Sequence, residues 1–116
     1  MIIDAGKKAA LNLMKGTNGF KFIDIGDGIS DSSTMHTILD HSVLSTRKSV
    51  TPELIGNVLI YTVDFTGSEL ASSVITELGI FDAASGGNML SRVNFNKIGP
   101  LSADETVSFT FRLELV

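Results

Sequence analysis

Few residues of this 116-residue chain are of types that do chemistry, and their spacing works against most of what they could do. His36 and His41 stand five apart around Asp40. Histidines that share a metal on a helix sit three or four apart, on one face. A spacing of five turns the two rings away from each other, so both read as solvated loop histidines. The chain has no cysteine and no third histidine, which leaves no way to complete a transition-metal shell. The segment Asp24-Ile25-Gly26-Asp27-Gly28-Ile29-Ser30-Asp31 gathers three carboxylates and two glycines. A calcium loop needs oxygen ligands at alternating positions and glycine at the sixth. Here the glycines fall third and fifth, so the segment reads as a strand end and an Asp-Gly turn. It also lacks the third glycine and following helix of a dinucleotide fingerprint. The expectation is no metal and no cofactor.

A serine nucleophile needs a base and an orienting acid, and no serine sits in the strained turn that marks a hydrolase. Glu77 and Glu114 could be sought as paired acids. A better use of Glu77 is an ion pair with Arg92 across the hairpin between residues 81 and 89, where positions equally far from the turn face each other. Such a cross-strand pair contributes about 0.2–1 kcal/mol. No catalytic residues are expected, and the chain reads as a non-enzyme.

The elements that hold these residues are mostly strands. The final run, 106–116, alternates strictly. Val107, Phe109, Phe111, Leu113 and Leu115 face one way; Ser108, Thr110, Arg112 and Glu114 face the other. That pattern specifies both strand and register. Residues 57–65 place Leu59, Tyr61, Val63 and Phe65 on one face, with Val58 and Ile60 on the other, as in a strand covered on both sides. Residues 74–81 and 89–95 form two more strands around the Gly86-Gly87 turn. Residues 19–26 form the first strand, closed by Gly26-Asp27-Gly28. Residues 2–15 read as an amphipathic helix with Ile2, Ile3, Gly6, Ala9, Ala10, Leu13 and Met14 on its apolar face. Leu11 falls on the polar side, as an exposed leucine or a contact to another subunit. Gly16 is placed to end the helix. Residues 29–56 are irregular, with a single helical turn at 35–41 and a break at Thr51-Pro52. The later connections are too short for crossover helices. The fold class is therefore mainly β, sandwich-like and mostly antiparallel, with an N-terminal α-helix, in one domain over 1–116.

The net charge is −4 and no basic run exists. Phosphate-driven nucleic-acid binding needs a positive face, so none is expected. No apolar run approaches the ~20 residues of a membrane-spanning helix, and the order of apolar residues and charges at the N-terminus is not that of a signal peptide. No membrane insertion is expected. The mean hydropathy of +0.28 is high for a short soluble chain, as if a partner covered part of its apolar surface.

The C-terminal half carries Ile75-Thr76-Glu77-Leu78-Gly79-Ile80-Phe81-Asp82-Ala83, then Gly86-Gly87-Asn88-Met89-Leu90-Ser91-Arg92. This string resembles a hairpin found in tail-fibre and baseplate-associated proteins of tailed bacteriophages and prophages. Asn12-Leu13-Met14-Lys15-Gly16 resembles the end of that family's opening helix, and Phe22-Ile23-Asp24-Ile25-Gly26-Asp27-Gly28 its first strand and turn. Thr37-Ile38-Leu39 and Arg47 stand roughly where the family has its next block and a downstream arginine. The blocks keep the same order along nearly the whole chain. Asp27 departs from the small hydroxyl residue usual there, and the chain lacks the long trimeric shaft of a true fibre. The resemblance implies a virion structural subunit, made in the bacterial host cytoplasm. Its partners would be copies of itself, as a trimer or hexamer, and other phage tail proteins. Its contacts would come from Leu11, Val58 and Ile60, and from the hairpin tip at Asp82, Ser85, Gly86, Gly87 and Asn88. The other functions the chain suggests are a carbohydrate- or receptor-binding module of a tail tip, and a small capsid-decoration protein.

Overall fold

The alternating C-terminal run forms β7 (Thr106–Glu114), which pairs with β4 (Val58–Thr66) without a break from Thr66↔Thr106 to Val58↔Glu114. The structure is a computed structural model and describes residues 1–115. Before β4 come α1 (Asp4–Lys15), β1 (Phe22–Gly26), β2 (Lys48–Ser49) and β3 (Glu53–Ile55); between β4 and β7 come β5 (Ile75–Phe81) and β6 (Met89–Ile98). These strands make two antiparallel sheets, β2-β1-β5-β6 and β3-β4-β7. The fold is the expected mainly β, sandwich-like arrangement with one N-terminal helix.

The core lies between the sheets. Leu59, Tyr61, Val63 and Phe65 of β4 meet Ile23 and Ile25 of β1 and Leu78 and Ile80 of β5. Each such side chain contributes roughly 1.5–3 kcal/mol when fully buried. The single tyrosine, Tyr61, sets its ring edge-on to Phe111 and donates its hydroxyl to the Phe20 carbonyl at 2.8 Å. The core is therefore satisfied at its polar edge as well as packed.

The four-stranded sheet has a second covered face. Along β5, Leu78 and Ile80 join the core, so Glu77, Gly79 and Phe81 point to the opposite side. All three are buried, because residues 27–47 fold across that side. Leu39, buried within this segment, lies against Gly79.

Several boundaries differ from expectation. α1 starts at Asp4, with Ile3 extended before it. The first strand starts at Phe22 rather than residue 19, because the amides of Gly19 and Phe20 bond back to the Gly16 and Met14 carbonyls and close the helix exit. β6 runs to Ile98, three residues past the expected end. β7 ends at Glu114, and residue 116 lies outside the described residues. The irregular segment contains two short strands, β2 and β3, and residues 35–41 form no helical turn.

The largest correction concerns α1. Leu11 is fully buried and joins the core, while Leu13 is 79% exposed and Ile3 65%. Gly6 and Ala9 are exposed too. The helix is rotated so that Leu11 and Met14 face inward, while Ile2, Ile3, Gly6, Ala9 and Leu13 of the expected apolar face meet solvent. The helix lies on β3 and β4, and there Leu11 enters the core cluster with Met14 packed against it, as close packing of the interior requires. Leu11 is thus a core residue and offers no contact to another subunit.

Candidate functional site

Glu77 is the one charged residue in the apolar strand β5. Both it and the side chain of Arg92 on β6 are buried. The expected ion pair forms, with Arg92 Nε donating to Glu77 Oε1 at 3.0 Å. Its geometry differs from expectation. Arg92 lies opposite Gly79, and Glu77 opposite Asn94, so the pair runs diagonally across the ladder. Gly79 has no side chain to block that path.

The Glu77 carboxylate also accepts the backbone N–H groups of Asp40 at 2.9 Å, His41 at 2.9 Å and Gly28 at 2.7 Å. With Arg92 that makes four donors, about as many as an ionised carboxylate can accept. A buried charge persists only when paired and hydrogen-bonded, and this one is both. Gly28 makes the approach possible: a Cβ there would stand 2.4 Å from Glu77 Oε2 and 2.2 Å from the Asp40 Cβ. Thr76 Oγ1 donates to the Gly28 carbonyl at 2.5 Å and pins the same turn from the next position of β5.

Arg92 continues the network outward. Its Nη1 donates to Ser32 Oγ at 2.9 Å and its Nη2 to Asp40 Oδ2 at 3.2 Å. Ser32 in turn donates to Asn94 Oδ1. Asp40 accepts the Ser30 amide at 3.0 Å and the Ser30 hydroxyl. The Ser30 hydroxyl, chiefly, holds the Asp40 carboxyl below its ordinary range, with help from the Ser30 amide, His36 and Arg92. Segment 27–41 is thereby fixed on the outer face of the four-stranded sheet.

Ser30, His36 and Asp40 come together, but not as a nucleophile triad. Nδ1 of His36 accepts the Ser33 amide at 3.1 Å, which leaves the proton of the neutral ring on Nε2. That Nε2 donates to Asp40 Oδ1 at 3.2 Å. A triad base must offer a bare nitrogen to the serine, and here Ser30 faces the protonated one. His41 is set apart, with its Nδ1 against the Asp27 carboxylate. Among the described residues, no group of three or more His, Asp or Glu is placed to hold a metal.

A second cluster holds the hairpin tip. Arg47 lays its guanidinium 3.5 Å from the centre of the Phe81 ring and donates Nη1 to the Ala83 and Gly86 carbonyls, both at 2.8 Å. Its Nε stands 3.7 Å from Asp24 Oδ2, and Asp24 Oδ1 accepts the Ser42 hydroxyl at 2.6 Å. A cleft of about 270 Å³ opens here, lined by Asp24, Ser42, Ser45, Thr46, Arg47 and Ser85. The tip itself is closed by Asp82, which accepts the Asn88 amide at 2.6 Å and its side-chain N–H at 2.9 Å. The Asn88 amide, above all, lowers the Asp82 carboxyl below its usual range.

The structure thus joins the predicted pair Glu77–Arg92 to a loop, and leaves Ser85, Gly86, Gly87 and Asn88 exposed at the tip. Val58 and Ile60 are half-buried on the outer side of β4, away from that tip. The roles of Asp24, Ser30, Ser32, Asp40 and Arg47 in these networks were not anticipated from the sequence. One signal was present: a glutamate inside the otherwise apolar strand β5 requires partners for its charge. Neither the protein-family models nor the curated proteins compared with the chain match it.

Proposed function

We propose that this chain is a non-enzymatic structural subunit of a tailed phage or prophage, associated with the tail, baseplate or tail fibre, that works by self-association and protein–protein contact. The phage assignment rests on the resemblance of the hairpin and of the ordered blocks before it. Assembly rests on one observation: the sandwich is open along one side. Val107, Phe109, Phe111 and Leu113 of β7 face the core side yet are only half-buried, and so are Leu90, Val93 and Phe95 of β6. Phe95 and Phe109 meet across the gap, with ring centres 5.5 Å apart. Both strands are sheet edges, nine and ten residues long, with one side of their backbone hydrogen bonding unused within the sheet. Long apolar edges are natural sites of chain–chain association. Light scattering over a concentration series tests this. A defined oligomer, such as a trimer or hexamer, is expected; a monomer at every concentration overturns self-association.

The Asp24–Arg47 cleft favours a second reading, a carbohydrate- or receptor-binding module. Its hydroxyls, carboxylate and guanidinium match the donors and acceptors of a small polyol. A glycan array probed with the assembled protein gives specific hits on that reading and none on the first.

A further inference from the structure

Proteins keep a sheet edge from pairing by making it short, irregular, charged or covered. Three of the four edges in this sandwich are guarded in these ways. β2 has two residues and β3 three, and α1 lies on β3. β6 is long, but its ladder with β5 shifts register twice and it exposes Lys97. The 27–41 loop also holds the outer face of β6 through Ser32, which bonds Asn94 and Arg92. β7 has none of these guards. Its nine residues run along β4 without a bulge, from Thr66↔Thr106 to Val58↔Glu114. It contains no lysine, proline or glycine. Its two charges, Arg112 and Glu114, are both exposed and lie 3.7 Å from each other. Among the described residues, no strand or helix lies beyond its free edge.

The free N–H and C=O groups of such an edge are a template for one kind of ligand, an extended strand. The residues of β7 fit another β7. Laid antiparallel on itself about Thr110, the strand pairs over its full length. On the core side, Phe109 stands opposite the second copy's Phe111, and Val107 opposite its Leu113. On the outer side, Ser108 stands opposite Arg112 and Thr106 opposite Glu114. No apolar side chain faces a polar one, and no like charges meet. Aromatic pairs placed directly across two strands are stabilising. We infer that two copies join β7 to β7 about a two-fold axis at Thr110, making one six-stranded sheet in the order β3-β4-β7-β7-β4-β3. The occupant is a second copy of this chain because it carries a strand of the same length, matched in polarity position by position and displayed at an unguarded edge. The half-buried Val107, Phe109, Phe111 and Leu113 of each copy then gain cover from the same row of the other. Such a contact is isologous. It closes with two copies, so it consumes the unguarded edge and leaves no template for a growing fibre.

This inference rests on the assembly reading above, and the test separates the two. Light scattering of the wild type over a concentration series is expected to give a dimer, or a hexamer built from such pairs. Thr110 is exposed, so changes there leave the core intact, and circular dichroism melts check that each variant folds. Thr110→Lys and Thr110→Glu each set two like charges against one another at the axis. Each is expected to raise the dissociation constant of the pair about fivefold. An equimolar mixture of the two is expected to associate at least as tightly as the wild type, with lysine opposite glutamate. Thr62→Lys, on the same exposed face but one strand in from the edge, is expected to associate as the wild type does. If the Thr110 variants associate like the wild type, if their mixture is no tighter than either alone, or if Thr62→Lys is equally disruptive, the β7 pairing is wrong and self-association stands. A trimeric wild type, which has no two-fold axis, overturns the pairing in the same way. A wild type that is monomeric at every concentration overturns both.

Discussion

At the residue scale, the fold turns on a buried carboxylate. Glu77 collects three backbone N–H groups and Arg92, so its removal strands a guanidinium and three amides at once. Glu77→Gln places an amide N–H₂ against those donors and is expected to cost about 3–5 kcal/mol by urea unfolding, the range for breaking a buried pair. Replacing Glu77 and Arg92 together with leucine is expected to cost less than the sum of the single changes, since neither charge is then left alone. Asp40 adds a pH dependence. Its carboxyl is lowered in the fold, so its contribution is present above the usual range of about 4 and is lost as pH falls through the lowered value. The protection of the Ser30 amide relative to its intrinsic exchange rate is expected to fall on acidification through that window, ahead of global unfolding. Tyr61 behaves in the opposite sense. Burial pushes its hydroxyl up to about 12, so its effect on stability is absent below pH 10 and stability falls between about 10 and 12. Ultraviolet titration of the one tyrosine checks this directly.

At the element scale, α1 shows how a helix with two unequal faces chooses. The wider apolar stripe, with Gly6, Ala9 and Leu13, looks outward, and the isolated Leu11 looks inward. Leu11→Ala is expected to cost about 2–5 kcal/mol, the cost of emptying a core position. Leu13→Lys is expected to change stability by under about 0.5 kcal/mol. Thermal or urea unfolding of the two variants checks the orientation; the reverse ranking would mean the helix sits the other way round. The β5–β6 hairpin shows a different constraint. Its turn carries Gly86 and Gly87 at φ of 63° and 70°, a region open to glycine. Arg47, forty residues earlier, then grips the tip through two carbonyls and the Phe81 ring.

At the scale of the whole molecule, the two sheets are not equivalent. The four-stranded sheet is covered twice, by the core and by segment 27–47, whereas β6 and β7 leave one side of the sandwich half-open. Slow amide hydrogen exchange is therefore expected in β4 and β5, which have paired neighbours on both sides. Faster exchange is expected at the outward amides of β6 and β7. The proposed self-association, if it runs through these edges, is expected to protect their amides, and exchange compared at low and high protein concentration measures it.

The sequence alone determined the elements whose pattern is local. Strict alternation in residues 106–114 made β7 and its register legible, because a period of two leaves one way to bury Phe109 and Phe111. The glycine pair announced the hairpin, and the absence of cysteine ruled out thiolate ligands and disulfides. The presence of a helix before Gly16 was equally plain. The sequence could not say which face of that helix turns inward, because Leu11 and Leu13 differ by the shape of the gap that receives them and not by polarity. Nor could it show that segment 27–47 lies across β5. The bonds that hold it join Glu77 to Gly28, Asp40 and His41, and Arg92 to Ser32. Those partners are remote in sequence, and only the tertiary structure decides them, since a buried charge takes whichever donors the folded chain brings within reach.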